Sequence, residues 1–259
     1  MVLALKLILT PLLVATASLV QRRWGGAIGG LVAGLPLTSA PVSAFLAVEH
    51  GRSFAARAAA GTLLGLTAMS AFCAAYARVA ARASWPTAAA VGLLACAATT
   101  LVAACLPQDL LLAALITFPV LVAFIPLIGR AVGDRTQRRV PWWDIPGRMI
   151  LATSIVFVIT GTASFWGSKW SGLLSTLPVY ALVMGVFSHR HDGPAAAQSF
   201  LRGVAVGALG AAAFLLLVGA LIERAPLSVA YVVAGVASIS VAALSQVIVN
   251  ASDRMMSAN

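Results

Sequence analysis

Long apolar runs separated by short polar connections are the feature that most constrains the fold of this 259-residue chain. Asp, Glu, Lys and Arg occupy only 9% of its positions, against about 25% in soluble proteins. A chain this poor in charge cannot cover a water-facing surface, and a helix that crosses a membrane needs about 20 apolar residues. The sequence therefore predicts an all-α integral membrane protein.

About nine runs are long enough to span a bilayer: 3–20, 25–48, 53–76, 85–106, 110–128, 149–166, 170–187, 197–221 and 227–249. Lys and Arg stay on the cytoplasmic side because they resist translocation. If the N-terminus lies outside, the inner connections carry twelve of the 17 basic residues, from Arg22 to Arg254. We therefore expect a multi-pass protein of a bacterial-type inner (plasma) membrane, with its N-terminus outside and its C-terminus in the cytoplasm.

An internal match at an offset of 142 residues adds a second constraint. It runs without a gap from position 6 to position 51 and includes Trp, Gly and Pro, which coincide by chance less often than Leu or Ala. The matched segments are Trp24-Gly25 with Trp166-Gly167, Gly30-Leu31 with Gly172-Leu173, Leu35-Pro36 with Leu177-Pro178, and Gly51 with Gly193. The sequence thus predicts two repeated units within one membrane domain.

The repeat assigns four helices to residues 1–106 and four to residues 149–259, and leaves a linking helix and a cytoplasmic loop at 107–148. One extra crossing between the units means that they enter the membrane from opposite sides, as in many secondary transporters. The N-terminus, with Lys6 and Ala15-Thr16-Ala17, resembles a signal peptide. We expect it to be retained, because the first helix matches the sixth.

Prolines near the middle of two matched runs predict a binding site. Proline removes a backbone donor, and in lipid the freed carbonyl needs a partner or must line a cavity. Matching interrupted helices indicate a substrate site, although kinked packing helices are an alternative. The predicted substrate-binding residues are Gly34, Pro36, Thr38, Ser39, Ser175, Thr176, Pro178 and Tyr180. The glycines before Pro36 have the spacing of close helix packing.

The densest charged cluster on the predicted outer side is a candidate for gating or coupling, with a solvated connection between helices as the alternative. It consists of Glu49, His50, Arg52 and Arg57. All seven acidic residues fall at the ends of predicted spans or in loops, so a buried proton relay has no evident carrier. The matched cations Lys6 and Arg148 mildly favour an anionic substrate, but snorkelling anchors explain them almost as well.

Several other functions are disfavoured. The net charge of +10 is spread between apolar runs, whereas a nucleic-acid site needs a clustered basic patch. The three cysteines, Cys73, Cys96 and Cys105, lack metal-ligand spacing and fit small buried residues. His189 and His191 beside Asp192 fit an ordinary loop better than a metal site. No catalytic motif is recognisable, so we expect a protein that is not an enzyme and needs no cofactor or metal.

The segment Ser171-Gly172-Leu173-Leu174-Ser175-Thr176-Leu177-Pro178, followed by an apolar run to His189-Arg190, resembles the GlpM-type small inner-membrane proteins. Gly30-Leu31 and Leu35-Pro36 are similar. Because those proteins look like single four-helix units, the resemblance implies that this chain is a fused, inverted pair of such units. It covers about one helix and its connection per repeat and assigns no functional residue.

These observations favour a secondary transporter or exporter of a small solute, with an anion mildly preferred, that binds near mid-membrane between the second and seventh helices. A flippase for a lipid or lipid-linked intermediate is the first alternative. A non-transporting membrane subunit of a larger assembly is the second. The expected partners are membrane lipids and the substrate, with no nucleic acid, and a homo-oligomer is compatible with the sequence.

Overall fold

The computed structural model describes residues 2–129, 141–161 and 177–257, and all regular secondary structure in these ranges is α-helix. The helices are α1 Val2–Trp24, α2 Gly26–Gly34, α3 Ser39–Glu49, α4 Arg52–Ala80, α5 Trp85–Ala103, α6 Leu110–Leu127, α7 Asp144–Gly161, α8 Val179–Asp192, α9 Pro194–Leu221 and α10 Leu227–Ser257. The predicted all-α class is confirmed for this part of the chain.

Within the described residues, six stretches are long and apolar enough to cross a membrane, where α2 and α3 count as one stretch. They are Gly26–Glu49, Arg52–Ala80, Trp85–Ala103, Leu110–Leu127, Pro194–Leu221 and Leu227–Met255. Six such stretches fit a multi-pass membrane protein. The count of nine spans stays a prediction. The end of the sixth predicted span and the start of the seventh lie at 162–176, outside the described residues.

Several helices extend beyond the predicted spans. Helix α1 continues through Arg22 and Arg23 to Trp24, α7 begins at Asp144 instead of position 149, and α10 continues to Ser257. Hydropathy marks the apolar layer, whereas the backbone hydrogen bonds of a helix continue through polar residues at its ends. Helix α5 is shorter than predicted and ends at Ala103, and Cys105 beyond it is exposed while Cys73 and Cys96 are buried.

Helices α4 and α9 form the centre of the bundle and pack against each other. At one end, the Gln198 side chain donates to the carbonyl of Ala77 at 2.9 Å. At the other end, Arg52 donates to the carbonyl of Ala225 at 3.1 Å. The start of each helix thus lies beside the end of the other, so α4 and α9 run in opposite directions.

Helix α2 packs closely on α9 through glycines. A Cβ atom added to Gly30 would overlap the carbonyl oxygen of Phe200, and one added to Gly203 would overlap the carbonyl oxygen of Ala27. Gly34 meets Val204 in the same way. Small residues four positions apart let two helix backbones approach. The packing that the glycine spacing predicts is therefore present, and it places the end of α2 firmly against the central helix.

One end of the bundle, termed here the arginine-rich end, is where α1, α4, α6, α8 and α10 end and α7 and α9 begin. The contacts that join these ends include Arg22 to Asp144, Arg78 to the carbonyl of Leu127, and Arg202 to Asp253. The same helix ends carry the basic residues that predict the cytoplasmic side. The orientation itself stays a prediction.

Candidate functional site: a cavity at a broken helix

The second apolar run is folded as two helices, α2 and α3, with a break at 35–38. Leu35 is extended, at φ −66° and ψ 157°. Residues before a proline avoid the α conformation, and Pro36 itself has no N–H to continue the helix. The break therefore follows directly from Leu35-Pro36, and it leaves irregular backbone in the middle of an apolar stretch.

A small cavity lies beside this break, and the space inside it that a water molecule can reach is about 20 Å³. This volume holds about one water molecule, so anything larger needs the lining side chains to move apart. Most of the walls are apolar, and two hydroxyl-bearing side chains, Thr38 and Tyr180, contribute polar groups. The lining residues are Leu13, Val14, Ala17, Val32, Ala33, Leu35, Leu37, Thr38, Tyr180 and Met184. The cavity thus lies between α1, the α2–α3 break and α8.

The first turn of α8 supplies Tyr180 to this cavity. Pro178 is buried and precedes the first helical residue, Val179. The hydroxyl groups of Tyr180 and Thr10 form a hydrogen bond of 3.1 Å. Since Thr10 is buried within α1, the bond fixes the phenol at the boundary between α1 and α8.

The structure brings only some of the predicted substrate-binding residues to the cavity. Thr38 and Tyr180 line it, while Gly34 ends α2 and packs against α9. Pro36 and Pro178 border the two helix ends but do not line the cavity, and neither does Ser39, the first residue of α3. Ser175 and Thr176 lie outside the described residues.

The predicted gating residues lie apart from the cavity, on exposed surface between α3 and α4. His50 stacks on Phe54 at a centroid distance of 5.0 Å. Arg52 bonds to the carbonyl of Ala225, and Arg57 donates to Ser53 at 2.9 Å. Glu49, at the end of α3, is also exposed. The structure therefore does not connect this cluster to the site.

Below the cavity, a row of polar contacts follows the α1–α8 interface towards the arginine-rich end. Ser18 donates to the Met184 sulfur at 3.3 Å, and Gln21 donates to Ser188 at 2.7 Å. Tyr180, Met184 and Ser188 are four residues apart, so they share one face of α8. The row places Met184 between the cavity and the helix ends.

The row ends in an ion cluster that we define by Arg22, Asp144, Arg148 and His191, of which Asp144 and Arg148 are buried and Arg22 is exposed. Asp144 is fully buried, and its carboxylate pairs with Arg22 at 3.1 Å and with Arg148 Nε at 3.0 Å. His191 Nε2 lies 3.8 Å from the same carboxylate. The cluster connects α1, α7 and α8 at their arginine-rich ends.

Aromatic side chains cover the ion cluster. The Arg148 guanidinium lies 5.3 Å from the centroid of the Phe187 ring, within the range of cation–π attraction. Burial lowers the pKa of Arg148, and Asp144 opposes that change. Burial also raises the pKa of the nearby Asp192 carboxyl, an effect that Arg148 opposes. Because Asp144 and Arg148 are both shielded from water, the attraction between their charges is stronger than that of a pair on an open surface.

Sequence reasoning missed this cluster. It assigned Asp144 to a loop and treated Arg22 as a marker of orientation. The spacing of Asp144 and Arg148 is that of an i, i+4 ion pair on a helix. A helix predicted to begin at Asp144 would have indicated this pair. In the described ranges, no group of three or more His, Cys, Asp or Glu side chains is placed to hold a metal ion.

Comparisons with known protein families, curated proteins and solved structures found no match to the chain. The resemblance to the GlpM-type proteins therefore stays a prediction, and the site must be interpreted from its own geometry.

Proposed function

We propose that the protein is a secondary transporter or exporter of a small solute, and that the solute binds in the cavity at the α2–α3 break. The observation that carries the proposal is the position of this cavity. It lies where an apolar membrane-spanning stretch is interrupted at Leu35–Thr38, beside the start of α8. Interrupted helices at a buried cavity are the usual architecture of substrate sites in secondary transporters.

The contacts between helices support an inverted repeat. The match at offset 142 pairs α1 with α7 and ends at Gly51 and Gly193, directly before α4 and α9. The helices α1 and α7 are in contact, and so are α4 and α9. Each pair also runs in opposite directions, since Arg22 at the end of α1 meets Asp144 at the start of α7. Helices α4 and α5 pack together, as do their counterparts α9 and α10. This is the pattern expected if two similar units face each other across a pseudo-twofold axis.

The mostly apolar cavity walls also favour a second candidate, a flippase for a lipid or lipid-linked intermediate. Once the cavity walls move apart, an acyl chain would contact Leu13, Val32 and Leu35 as readily as the apolar part of a small solute. A lipid substrate differs in one measurable respect, because its movement changes the lipid composition of the two leaflets. The same purified protein in vesicles can distinguish the two substrates.

The test is flux through proteoliposomes that contain the purified protein. Efflux of preloaded small carboxylates and neutral solutes is measured for wild type, Thr38→Ala and Tyr180→Phe, with Thr62→Ala, an exposed threonine of α4, as control. We expect solute flux that falls several-fold in both cavity variants and is unchanged in the control. Scrambling of a fluorescent phospholipid without solute flux would favour the flippase. Neither activity would contradict transport and favour a membrane subunit of a larger assembly.

A further inference from the structure

The Met184 side chain lies between the cavity and the buried guanidinium of Arg148. Met184 lines the cavity, and its sulfur lies 3.5 Å from Arg148 Nη1. Arg148 is only 3% exposed. Methionine is unbranched and has three rotatable bonds, so it can move aside more easily than most apolar side chains.

The two edges of the Arg148 guanidinium have partners of different strength. Nε faces Asp144 at 3.0 Å. On the cavity side, Nη1 meets the Gln21 side-chain oxygen at 3.3 Å and the Met184 sulfur at 3.5 Å. A thioether is a weak acceptor, and charge-assisted N–H···O bonds to a carboxylate are typically about 2.7–2.9 Å long. The edge that faces the cavity can therefore form stronger bonds than those it has.

We propose that the cavity binds a monocarboxylate with an apolar body, and that Arg148 is the residue that recognises its carboxylate. The inference rests on the proposed function, because it assigns a substrate class to the same cavity. The Met184 side chain moves aside and so enlarges the small cavity. The carboxylate then accepts hydrogen bonds from the Nη edge of Arg148, and the apolar body lies against Leu13, Val14 and Leu35. The planar guanidinium fork matches a carboxylate in two-point geometry.

The ion cluster lets Arg148 change partner without leaving a buried charge alone. Asp144 is shared among Arg148, Arg22 and His191, so it keeps Arg22 when a ligand engages Arg148. Asp192 acts on Arg148 from farther away. Asp144 and the ligand thus compete for one guanidinium. Removal of the Asp144 charge is therefore expected to strengthen binding.

The experiment measures ligand binding by the purified full-length protein in detergent, from thermal unfolding and calorimetric titration. The probes are hexanoate and its neutral isostere hexanamide, at an ionic strength held constant with sodium chloride. We expect hexanoate to raise the unfolding temperature in a dose-dependent way and hexanamide to bind at least tenfold more weakly. Equal binding of the two probes would overturn the proposal.

Substitutions test whether Arg148 is the residue that binds the carboxylate. Asp144→Asn is expected to bind hexanoate severalfold more tightly than wild type. Asp144→Asn/Arg148→Gln leaves the net charge of the cluster unchanged and its side chains similar in size, and is expected to lose that affinity at least tenfold. Arg78→Gln, at the same end of the bundle, is the matched control and is expected to bind like wild type. Hexanoate binding that survives in the double variant would contradict the assignment. If wild type bound hexanoate but showed no flux in vesicles, the result would support this site and contradict transport. If substitution of Arg148 left the flux unchanged, the result would support transport and contradict this site.

Discussion

Gly30 and Gly51 illustrate two physical reasons for glycine in this bundle. Gly30 has helical geometry, and it must be glycine because the Phe200 carbonyl of α9 occupies the place of a Cβ atom. Gly51 has open space around it, but its φ of 88° and ψ of 163° lie in a region that is essentially restricted to glycine. The first glycine allows two helices to approach, and the second allows the chain to turn into α4.

Gly30→Ala tests the close contact between α2 and α9. We expect it to lower the free energy of unfolding by about 1–3 kcal/mol, because an extra methyl group in a tightly packed interface forces the backbones apart. Thermal unfolding in detergent measures the effect. Gly235→Ala in α10 is the control, since its Cβ would meet nothing within 4 Å. A Gly30→Ala protein as stable as the control would show that the two helices are not in close contact.

At the level of single site residues, sequence predicted some positions and missed others. Thr38 and Tyr180 were found because they flank prolines that interrupt apolar runs, and both line the cavity. Ser39 has the same proximity in sequence but belongs to α3, beyond the break. Met184 gives no local signal, since an apolar residue within an apolar run is unremarkable until the fold places it between a cavity and Arg148.

At the level of elements, the start of α4 and the start of α9 have the same local backbone geometry, as the proposed repeat requires. Gly51 and Gly193 are matched at offset 142, and each precedes the first residue of its helix. Their φ angles are 88° and 90°, with ψ of 163° and 175°. The same turn therefore introduces both central helices, one from each end of the bundle.

Gly51→Ala and Gly193→Ala are expected to destabilise the protein to a similar extent, by about 1–3 kcal/mol each, because alanine is strained in this conformation. Thermal unfolding of both variants in detergent gives the two values. Gly61→Ala, a helical position of α4 with only ordinary contacts to Gln108, is the control. If one of the two substitutions were neutral, the two turns would not be equivalent.

Some of the helix boundaries could be predicted from the sequence. The break at Leu35–Thr38 follows from local chemistry and was anticipated by the position of Pro36, although the run was predicted as one span. The start of α7 at Asp144 was not anticipated, because Pro141, Trp142 and Trp143 resemble a loop and hydropathy falls before the apolar layer begins. Long-range packing, which the sequence does not display, determines how far such helix ends extend.

At the scale of the whole molecule, the ion cluster holds three helices together beneath the cavity. Asp144 is fully buried at the start of α7, and its partners Arg22 and His191 come from α1 and α8. Sequence could not predict this arrangement, because the partners are distant in the chain and only the assembled bundle buries them. The assignment of helix ends to the two ends of the bundle could be predicted, because basic residues separate the apolar runs.

The energetic coupling between Asp144 and Arg148 tests whether the ion cluster holds these helices together. Arg148→Gln leaves a buried carboxylate with one fewer cation and is expected to cost about 3–5 kcal/mol of stability. Asp144→Asn/Arg148→Gln is expected to cost less than the sum of the two single changes, because neither charge is then left without its partner. Unfolding free energies of the four proteins in detergent measure the coupling. Additive effects would mean that the two side chains do not form a functional pair.

The accessibility of Thr38 from the two sides of the membrane tests transport through the cavity most directly. Thr38→Cys is made after Cys73, Cys96 and Cys105 are replaced by serine, and right-side-out and inside-out vesicles are treated with a membrane-impermeant maleimide. Glu49→Cys in the same background is the control, expected to react only in right-side-out vesicles. We predict that Thr38→Cys reacts from both sides, because a transporter exposes its site alternately to each. Reaction from one side alone, or from neither, would contradict a transport site at the α2–α3 break.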